Sequence, residues 1–163
     1  RLPPVESWSP AKTGHSDMRI ARDGTWFHEG SPIQRENMVR LFSTILRRDA
    51  DGRHWLVTPS EQLEIEVEDT PFVAVEVKSE GTGVDRQLAF RLNSGDLIVA
   101  GPAHALVFDD MAGKPYPLIH VRGGMQARIA RAPFYTLADW AVEEAAEPLG
   151  LWSSGVFFAM EPV

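Results

Sequence analysis

The residues best placed to do chemistry lie in TWFHEGSPIQRENMVRLF, residues 25–42, where two aromatic side chains lead into a predicted helix. Apolar side chains recur along that helix, and at about 100° per residue Arg35 falls within about 60° of the centre of the apolar face. A guanidinium that faces the core at a helix N-terminus, where amide groups are free and the dipole is positive, needs a negative partner. Arg35 therefore predicts an anion site that would take a phosphate or a carboxylate.

An internal ion pair is the alternative explanation for Arg35, and a partly buried arginine more often has such a pair. Glu29, Glu61 or Asp69 could supply the carboxylate. Both explanations can hold together, because an acid such as Glu61 can accept some of the guanidinium donors and leave the others for a ligand.

Further residues could complete the predicted site. Ser31 and Gln34 have the spacing of a capping box at the start of the helix. Two arginines of the second half could supply an opposite wall, two tryptophans could stack on a base, and a serine of a Ser-Ser-Gly turn could hydrogen-bond an anion. Plainer explanations are exposed strand arginines, core aromatic residues and an ordinary turn. The predicted ligand-binding residues are Arg35, Ser31, Gln34, Trp26, Glu61, Arg122, Arg128, Trp152 and Ser153.

Motifs for metal binding and for catalysis are missing from the sequence. The five histidines show no H-x-H, H-x-x-H or H-E-x-x-H spacing, and the chain has no cysteine. There is no nucleophile elbow and no phosphate loop, and Gly81-Thr-Gly83 lacks the third glycine of a dinucleotide fingerprint, so it predicts a hairpin turn. Glu143 and Glu144 are adjacent and predicted to be solvated, a poor arrangement for acid–base work. The sequence predicts no metal site and no cofactor.

Composition restricts the class of partner. The chain has 163 residues, 44% hydrophobic and 24% charged, with a net charge of −7. This balance predicts a soluble globular protein and argues against a duplex nucleic acid or an anionic membrane as partner, since both need a positive surface. No apolar run approaches the ~20 residues of a membrane helix, and no signal segment is visible, so the cytoplasm is the predicted location.

The elements that must position Arg35 follow from turn and capping residues. Residues 1–16 hold three prolines without periodicity and predict an extended arm. Asp23-Gly24 predicts a hairpin between strands at about 18–22 and 25–29. Ser31 is the predicted N-cap of the helix, with Pro32 at its first position and apolar side chains on one face as far as Leu46.

Short strands dominate the rest of the chain. Apolar residues alternate with Glu64, Glu66 and Glu68, which predicts one buried and one strongly negative strand face. A second helix is predicted within 133–147, followed by a loop and a last strand. A strand–helix–strand outline at 18–58 and again at 125–160 suggests a duplication. The predicted strands are 54–58, 62–68, 71–77, 86–92, 96–100, 104–108, 117–121 and 125–131.

Four stretches carry a resemblance to a known family: RDGTWFHEGSPIQRENMVRLFSTILRR, LVTPSE, VEDTPFVAVEV and LWSSGVFF. Together they resemble a bacterial family catalogued as domain of unknown function twelve-eighty-five (DUF1285). The likeness covers most of the chain from Met18 to Phe158. It implies two domains with a duplicated core, the second pleckstrin-homology-like. It also implies a ligand-binding or signalling role, with a nucleotide-like ligand at the cleft between the domains.

The sequence therefore predicts an α+β protein with an arm at 1–16, an α+β domain at 17–70, and a domain at 71–163 formed by an antiparallel curled sheet or barrel closed by a helix. The first functional hypothesis is a binding protein for an anionic, nucleotide-like small molecule in sensing or signalling. The alternative is a protein-interaction module that docks through its negative strand face. An enzyme acting on a phosphorylated substrate ranks third. A protein partner or a second copy of the chain is a further possible partner.

Overall fold

A computed structural model describes residues 2–160. Arg1 and residues 161–163, the outermost parts of the predicted arm and of the predicted second domain, lie outside the described residues. The chain divides into two compact units, one formed by residues up to Pro71 with Gly123–Met125, the other by Phe72–Arg122 and the residues from Gln126 onward. Each unit contains a six-stranded mixed sheet and one helix.

The first unit is built from two three-stranded meanders joined by a parallel strand pair. The strand order is β3-β2-β1-β6-β5-β4, with β1 and β6 parallel at its centre. Helix α1 connects the two meanders. The elements are β1 Lys12–Ile20, β2 Trp26–His28, β3 Ser31–Pro32, α1 Glu36–Ser43, β4 Leu46–Arg48, β5 His54–Val57 and β6 Glu61–Val67.

The predicted hairpin at Asp23-Gly24 is confirmed, and the strand before it is longer than predicted. Gly24 takes a φ of 90°, which glycine adopts without strain, and β1 and β2 pair antiparallel. Because β1 begins at Lys12, residues 12–16, predicted as part of the arm, form the start of a strand. A register shift between His15 and Arg19 interrupts the pairing of β1 with β6.

The predicted start of the first helix is wrong. Ser31 and Pro32 form β3, which pairs with His28 and Phe27 of β2, so Ser31 does not cap the helix and no capping box forms. Proline has no amide hydrogen, and it fits this position because the outer side of an edge strand has no neighbouring strand to which an amide must donate. The helix begins at Glu36 and ends at Ser43, earlier than the predicted Leu46, which instead belongs to β4.

One part of the core of the first unit lies between the sheet and α1, and a second cluster contains Val5, Trp55 and Val57. Trp26 stacks on Phe42 of the helix with ring centroids 6.4 Å apart, and Ile20, Leu46 and Ile65 are buried. The glutamates on the opposite, negative face of this sheet region pair with arginines, which offsets part of the charge of the predicted docking surface. The ion pairs are Arg53–Glu64 at 3.7 Å, Arg19–Glu66 at 3.9 Å and Arg19–Glu68.

The second unit repeats the strand order of the first. Its sheet has the order β10-β11-β12-β7-β8-β9, again two meanders joined by a parallel pair, β7 with β12. Its helix follows the sixth strand, however, and does not connect the meanders. The elements are β7 Phe72–Glu80, β8 Gln87–Leu92, β9 Leu97–Val99, β10 Leu106–Met111, β11 Lys114–Arg122, β12 Met125–Ile129, α2 Arg131–Glu144, β13 Gly150–Ser153 and β14 Val156–Ala159.

The structure of the second unit differs from the sequence predictions in three respects. The repeat concerns strand order over 12–67 and 72–129, not the predicted windows 18–58 and 125–160. The sheet is mixed, not wholly antiparallel, and within residues 2–160 it stays open with β9 and β10 at its ends, so of the two predicted forms, a curled sheet or a barrel, the barrel is wrong. Both differences arise from the parallel β7–β12 pairing, a nonlocal contact that local alternation does not encode. The eight predicted strands themselves are confirmed within a few residues.

The last part of the chain also departs from its prediction. Helix α2 begins at Arg131, before the predicted window of 133–147, and ends at Glu144. The tail forms two strands, β13 and β14, which pair as a hairpin where a loop and one strand were predicted. From residue 2 to residue 160, neither helix is long and apolar enough to cross a membrane.

Candidate functional site

Arg35 lies at the start of α1 with its side chain exposed, so its predicted inward position is wrong. Arg35 is the N-cap residue and has extended backbone angles (φ −78°, ψ 109°). Because its backbone is not helical, the spacing of about 100° per residue that predicted an inward side chain does not apply to it. Met38 and Leu41, assigned to the apolar face, are 41% and 63% exposed. Arg35 instead lines an open depression of about 610 Å³ together with Glu36, Asn37, Met38 and Leu41.

The N-terminus of α1 is not capped by a side chain. The carbonyl oxygen of Arg35 accepts the first helical hydrogen bonds, from the amides of Met38 at 3.1 Å and Val39 at 3.2 Å. The preceding amides, those of Glu36 and Asn37, therefore come before the helical ladder and are the groups that a ligand could use. The carboxylate of Glu36 lies in the first turn, where it offsets part of the positive end of the helix dipole. The main positive charge at the depression is therefore the Arg35 guanidinium.

The predicted ion pair of Arg35 does not form. Among the described residues, the Arg35 guanidinium has neither a hydrogen bond nor an ion pair, and two of the acids proposed for it, Glu29 and Asp69, have other neighbours. Glu29 lies 3.8 Å from His28, and Asp69 pairs with Arg22 at 3.5 Å. The depression thus combines an unpaired guanidinium, two amides and an apolar wall.

The other predicted residues of the first unit do not line this depression. Ser31 and Gln34 are exposed, and Ser31 belongs to the edge strand β3. Trp26 is only 2% exposed and stacks on Phe42, so it cannot offer its face to a base. Glu61 is exposed at the start of β6, where its amide donates to the Thr58 hydroxyl at 3.2 Å.

The four predicted residues of the second unit have contacts of their own within that unit. The Arg122 guanidinium lies over the Phe72 ring at 5.1 Å, and burial lowers its pKa. Arg128 is half-buried in β12. Trp152 packs edge-on against Phe157 at 5.4 Å. The predicted site is thus divided between the two units, and the cleft between domains stays a prediction.

Ser153 has a structural role in place of the predicted anion contact. Its side chain is fully buried. The hydroxyl donates to the carbonyl oxygen of Ala100 at 2.7 Å and accepts from the amide of Leu88 at 2.9 Å. Because both bonds join backbone groups that would otherwise be unsatisfied, this serine fastens the β13–β14 hairpin to the sheet of its unit.

An ion pair between a buried arginine and a half-buried glutamate, which no sequence motif predicted, holds α2 in the second unit. Arg86 is 5% exposed, donates to Glu144 at 2.6 Å and to the Ser79 hydroxyl at 2.7 Å, and lies 5.3 Å from the ring centroid of Trp140. Glu144, predicted as solvated, also accepts the amide of Gly83 at 2.8 Å. The hydrogen bond from Arg86, then that from Gly83, lowers the pKa of Glu144.

A second depression, of about 390 Å³, lies at the register shift of β1. Arg19 stacks on Phe27 at 4.2 Å from the ring centroid and lies 3.9 Å from the carboxylate of Glu66. All three residues line the depression. His15 and Asp17 lie 3.4 Å apart on the rim. The charges here have protein partners, which distinguishes this depression from the one at Arg35. In the part of the chain that the structure describes, no group of three or more potential ligands could hold a metal ion.

His54 makes the stability of the first unit depend on pH. Burial, followed by the nearby charge of Arg48, lowers the pKa of His54. The unfolded chain then takes up a proton near the ordinary histidine value while the folded chain does not, so stability falls as pH decreases through that range. We expect the urea midpoint of the wild type to fall between pH 7.5 and pH 5.5, and that of His54→Phe to fall less. An equal fall in both proteins would contradict this role of His54.

The comparisons with known proteins agree on one family. Residues 3–70 match the family model described as "Domain of unknown function (DUF1285), N-terminal domain", and residues 71–160 match "Protein of unknown function (DUF1285), C-terminal domain". No curated protein matches the chain.

Two crystal structures are similar to this chain. A DUF1285 family protein from Silicibacter pomeroyi DSS-3 is 47% identical, with a TM-score of 0.86, and the match covers 99% of this chain and 88% of that one. A DUF1285 family protein from Shewanella baltica OS155 is 21% identical, with a TM-score of 0.60 over 80% of this chain and 93% of that one, and it shows the fold alone.

Proposed function

This chain belongs to the DUF1285 family, and from that premise we propose that it is a binding protein for an amphipathic anion, which it takes at the start of α1. The ligand is an anion, as the sequence predicted, but the proposed site is the depression lined by Arg35, Glu36, Asn37, Met38 and Leu41. The anionic group would contact Arg35, and an apolar part would cover Met38 and Leu41.

The observation that carries the proposal is the unpaired state of Arg35. Its guanidinium has no hydrogen bond or ion pair with residues 2–160, although acidic residues outnumber basic ones in the chain. It lies beside the uncapped end of α1, so the cation and the free amides of Glu36 and Asn37 act on the same group of a ligand. A planar carboxylate or a phosphate matches the fork of donors that arginine presents.

The wall of the depression favours a ligand with an apolar part. Met38 and Leu41 are adjacent on one face of α1 and substantially exposed. A free inorganic anion would leave this apolar surface in water, whereas an acyl or aromatic carboxylate would cover it. A nucleotide would be bound here through its phosphate alone, because Trp26, the predicted stacking residue, is part of the core.

The test is a thermal-shift panel of inorganic phosphate, aliphatic and aromatic carboxylates, and nucleotides. A ligand at about 100 times its Kd adds about 2.7 kcal/mol to the free energy of unfolding. Arg35→Ala should weaken binding of a carboxylate by about tenfold or more, because a charge-assisted hydrogen bond contributes about 1.5–3 kcal/mol. We expect the apolar carboxylates to give the largest shifts and inorganic phosphate a small one.

Arg131→Ala is the matched control. Arg131 is also exposed, and it is the first residue of α2, whose N-terminus is likewise without a side-chain cap. The control should bind like the wild type. If both variants lost binding equally, the effect would be general electrostatics and the site at α1 would be wrong. If no anion shifted the wild type, the proposal would also fail.

A protein partner is the second candidate, favoured by the exposure of Met38 and Leu41 on a short helix. A segment with an acidic and an apolar residue would use the same depression. The pleckstrin-homology-like fold of the second unit and a sensing or signalling role stay predictions. An enzymatic role is the third hypothesis, and it too stays a prediction.

A further inference from the structure

The four end strands of the two sheets differ in how they are protected against pairing with another chain. Natural sheets protect their edges with proline, with charged side chains or with a covering element. In the first unit β3 contains Pro32, and β4 carries Arg47 and Arg48. In the second unit β10 carries Asp109 and Asp110 and contacts β14.

Strand β9 at the other end of the second sheet contains neither proline nor a charged side chain. Its three residues are Leu97, Ile98 and Val99, all apolar. Leu97 is 71% exposed, Val99 is exposed on the same face, and Ile98 is half-buried on the other. Within residues 2–160, β9 is hydrogen-bonded to β8 alone.

The hydrogen bonds of β9 show which backbone groups are unused. Leu92 donates to Asp96 at 2.8 Å before β9, and Ala100 donates to Leu88 at 2.9 Å after it. Hydrogen-bonded pairs alternate in an antiparallel ladder, so the next bonded residue of β9 is Ile98, opposite Phe90. The amides and carbonyls of Leu97 and Val99 consequently point away from β8, toward the open edge.

We propose that β9 pairs antiparallel with β9 of a second copy of this chain, about a two-fold axis at Ile98. In that register Leu97 lies opposite Val99 of the second copy, and each pair exchanges both of its outward hydrogen bonds. Leucine meets valine on one face, isoleucine meets isoleucine on the other, and both contacts are apolar.

A second copy is the occupant that this strand fits, because two-fold pairing requires a strand to be complementary to itself. Strand β9 meets that condition without bringing like charges together. Strand β10 does not, since self-pairing would place the carboxylates of Asp109 and Asp110 of both copies side by side. The dimer therefore uses the β9 edge of the second sheet and not the β10 edge.

Sedimentation velocity over a range of concentrations tests the pairing on the full chain. We expect a monomer–dimer equilibrium for the wild type and at least a tenfold weaker association for Leu97→Lys. Val142→Lys is the control, because Val142 is 66% exposed on α2, and it should associate like the wild type. A wild type that is monomeric at every concentration, or equal losses in both variants, would overturn the proposal.

Cross-linking gives a second readout that does not depend on a charged substitution. The chain has no cysteine, so Ile98→Cys carries a single thiol. Opposed residues of a non-hydrogen-bonded antiparallel pair have Cα atoms about 4.5 Å apart, within the range of about 4.4–6.8 Å that a disulfide spans. Under mild oxidation, Ile98→Cys should form a covalent dimer and Val142→Cys should stay largely monomeric. Equal cross-linking of both, or none of Ile98→Cys, would contradict the two-fold register.

Discussion

Trp26→Ala is expected to lower the free energy of unfolding by about 4 kcal/mol, because it removes a large buried side chain and leaves a cavity that the sheet cannot fill. The indole is almost fully buried and stacks on Phe42, so its loss separates β2 from α1. Urea denaturation followed by circular dichroism measures the change.

Two variants act as controls for Trp26→Ala. Trp26→Phe keeps a ring against Phe42 and should lose markedly less stability. Leu41→Ala removes an apolar side chain that is exposed on α1 and should change stability by no more than about 0.5 kcal/mol. If Trp26→Ala folded as stably as the wild type but bound anions more weakly, Trp26 would be a ligand-stacking residue, as the sequence first predicted.

Arg86→Met is expected to destabilise the second unit by about 2 kcal/mol, because it removes a buried guanidinium and the charge-assisted hydrogen bond that it donates to the half-buried carboxylate of Glu144. The Ser79 hydroxyl and the Trp140 ring lose contacts to the same guanidinium. Arg91→Met is the matched control. Arg91 pairs with Glu76 at 3.5 Å, but both side chains are exposed, so the loss should be below about 1 kcal/mol.

Acid should weaken this same ion pair. The pKa of Glu144 is lowered in the folded state, so its contribution to stability is present above the ordinary carboxyl pKa and is lost as pH falls below it. Glu144→Gln should therefore be less stable than the wild type at pH 7, and the difference should shrink toward pH 3. A difference that did not change with pH, or equal losses for Arg86→Met and Arg91→Met, would show that the pair is not the reason for the stability.

Local sequence signals predicted the strands and hairpins because those elements depend on near neighbours. The Asp23-Gly24 turn accommodates the positive φ that a tight hairpin requires. The alternation around Ile65 marks one buried face of β6 wherever that strand lies in the sheet. The second helix, predicted within 133–147, lies at Arg131–Glu144, so its place in the chain was predicted to within a few residues.

Nonlocal pairing explains what could not be predicted. Ser31 and Pro32 have the residue types of a helix start, yet pairing with β2 and the hydrogen bond from the Ile33 amide to Trp26 hold them extended. This pairing moves the helix start to Glu36 and turns Arg35 into an exposed N-cap. The parallel pairs β1–β6 and β7–β12 likewise join strands distant in sequence. For this reason the second domain was predicted as an antiparallel curled sheet or barrel and not as an open mixed sheet.

Of the predicted site residues, only Arg35 lines the depression at the start of α1, and its role in binding stays a prediction. The sequence placed it near a helix start, but its orientation and its companions depend on tertiary contacts. Trp26 and Ser153 have residue types that suit a ligand and are both used by the core. Arg86 and Glu144, separated by 58 residues, form an ion pair that no local motif signals.

An NMR titration of the full chain with an apolar carboxylate tests the proposed anion site most directly. Backbone amide shifts report which N–H groups bind, so the amides of Glu36 and Asn37 should move most, together with the methyl group of Met38. The same titration of Arg35→Ala should give much smaller shifts at these positions. Shifts that concentrate elsewhere in the chain, or shifts of the same size in Arg35→Ala, would contradict the site.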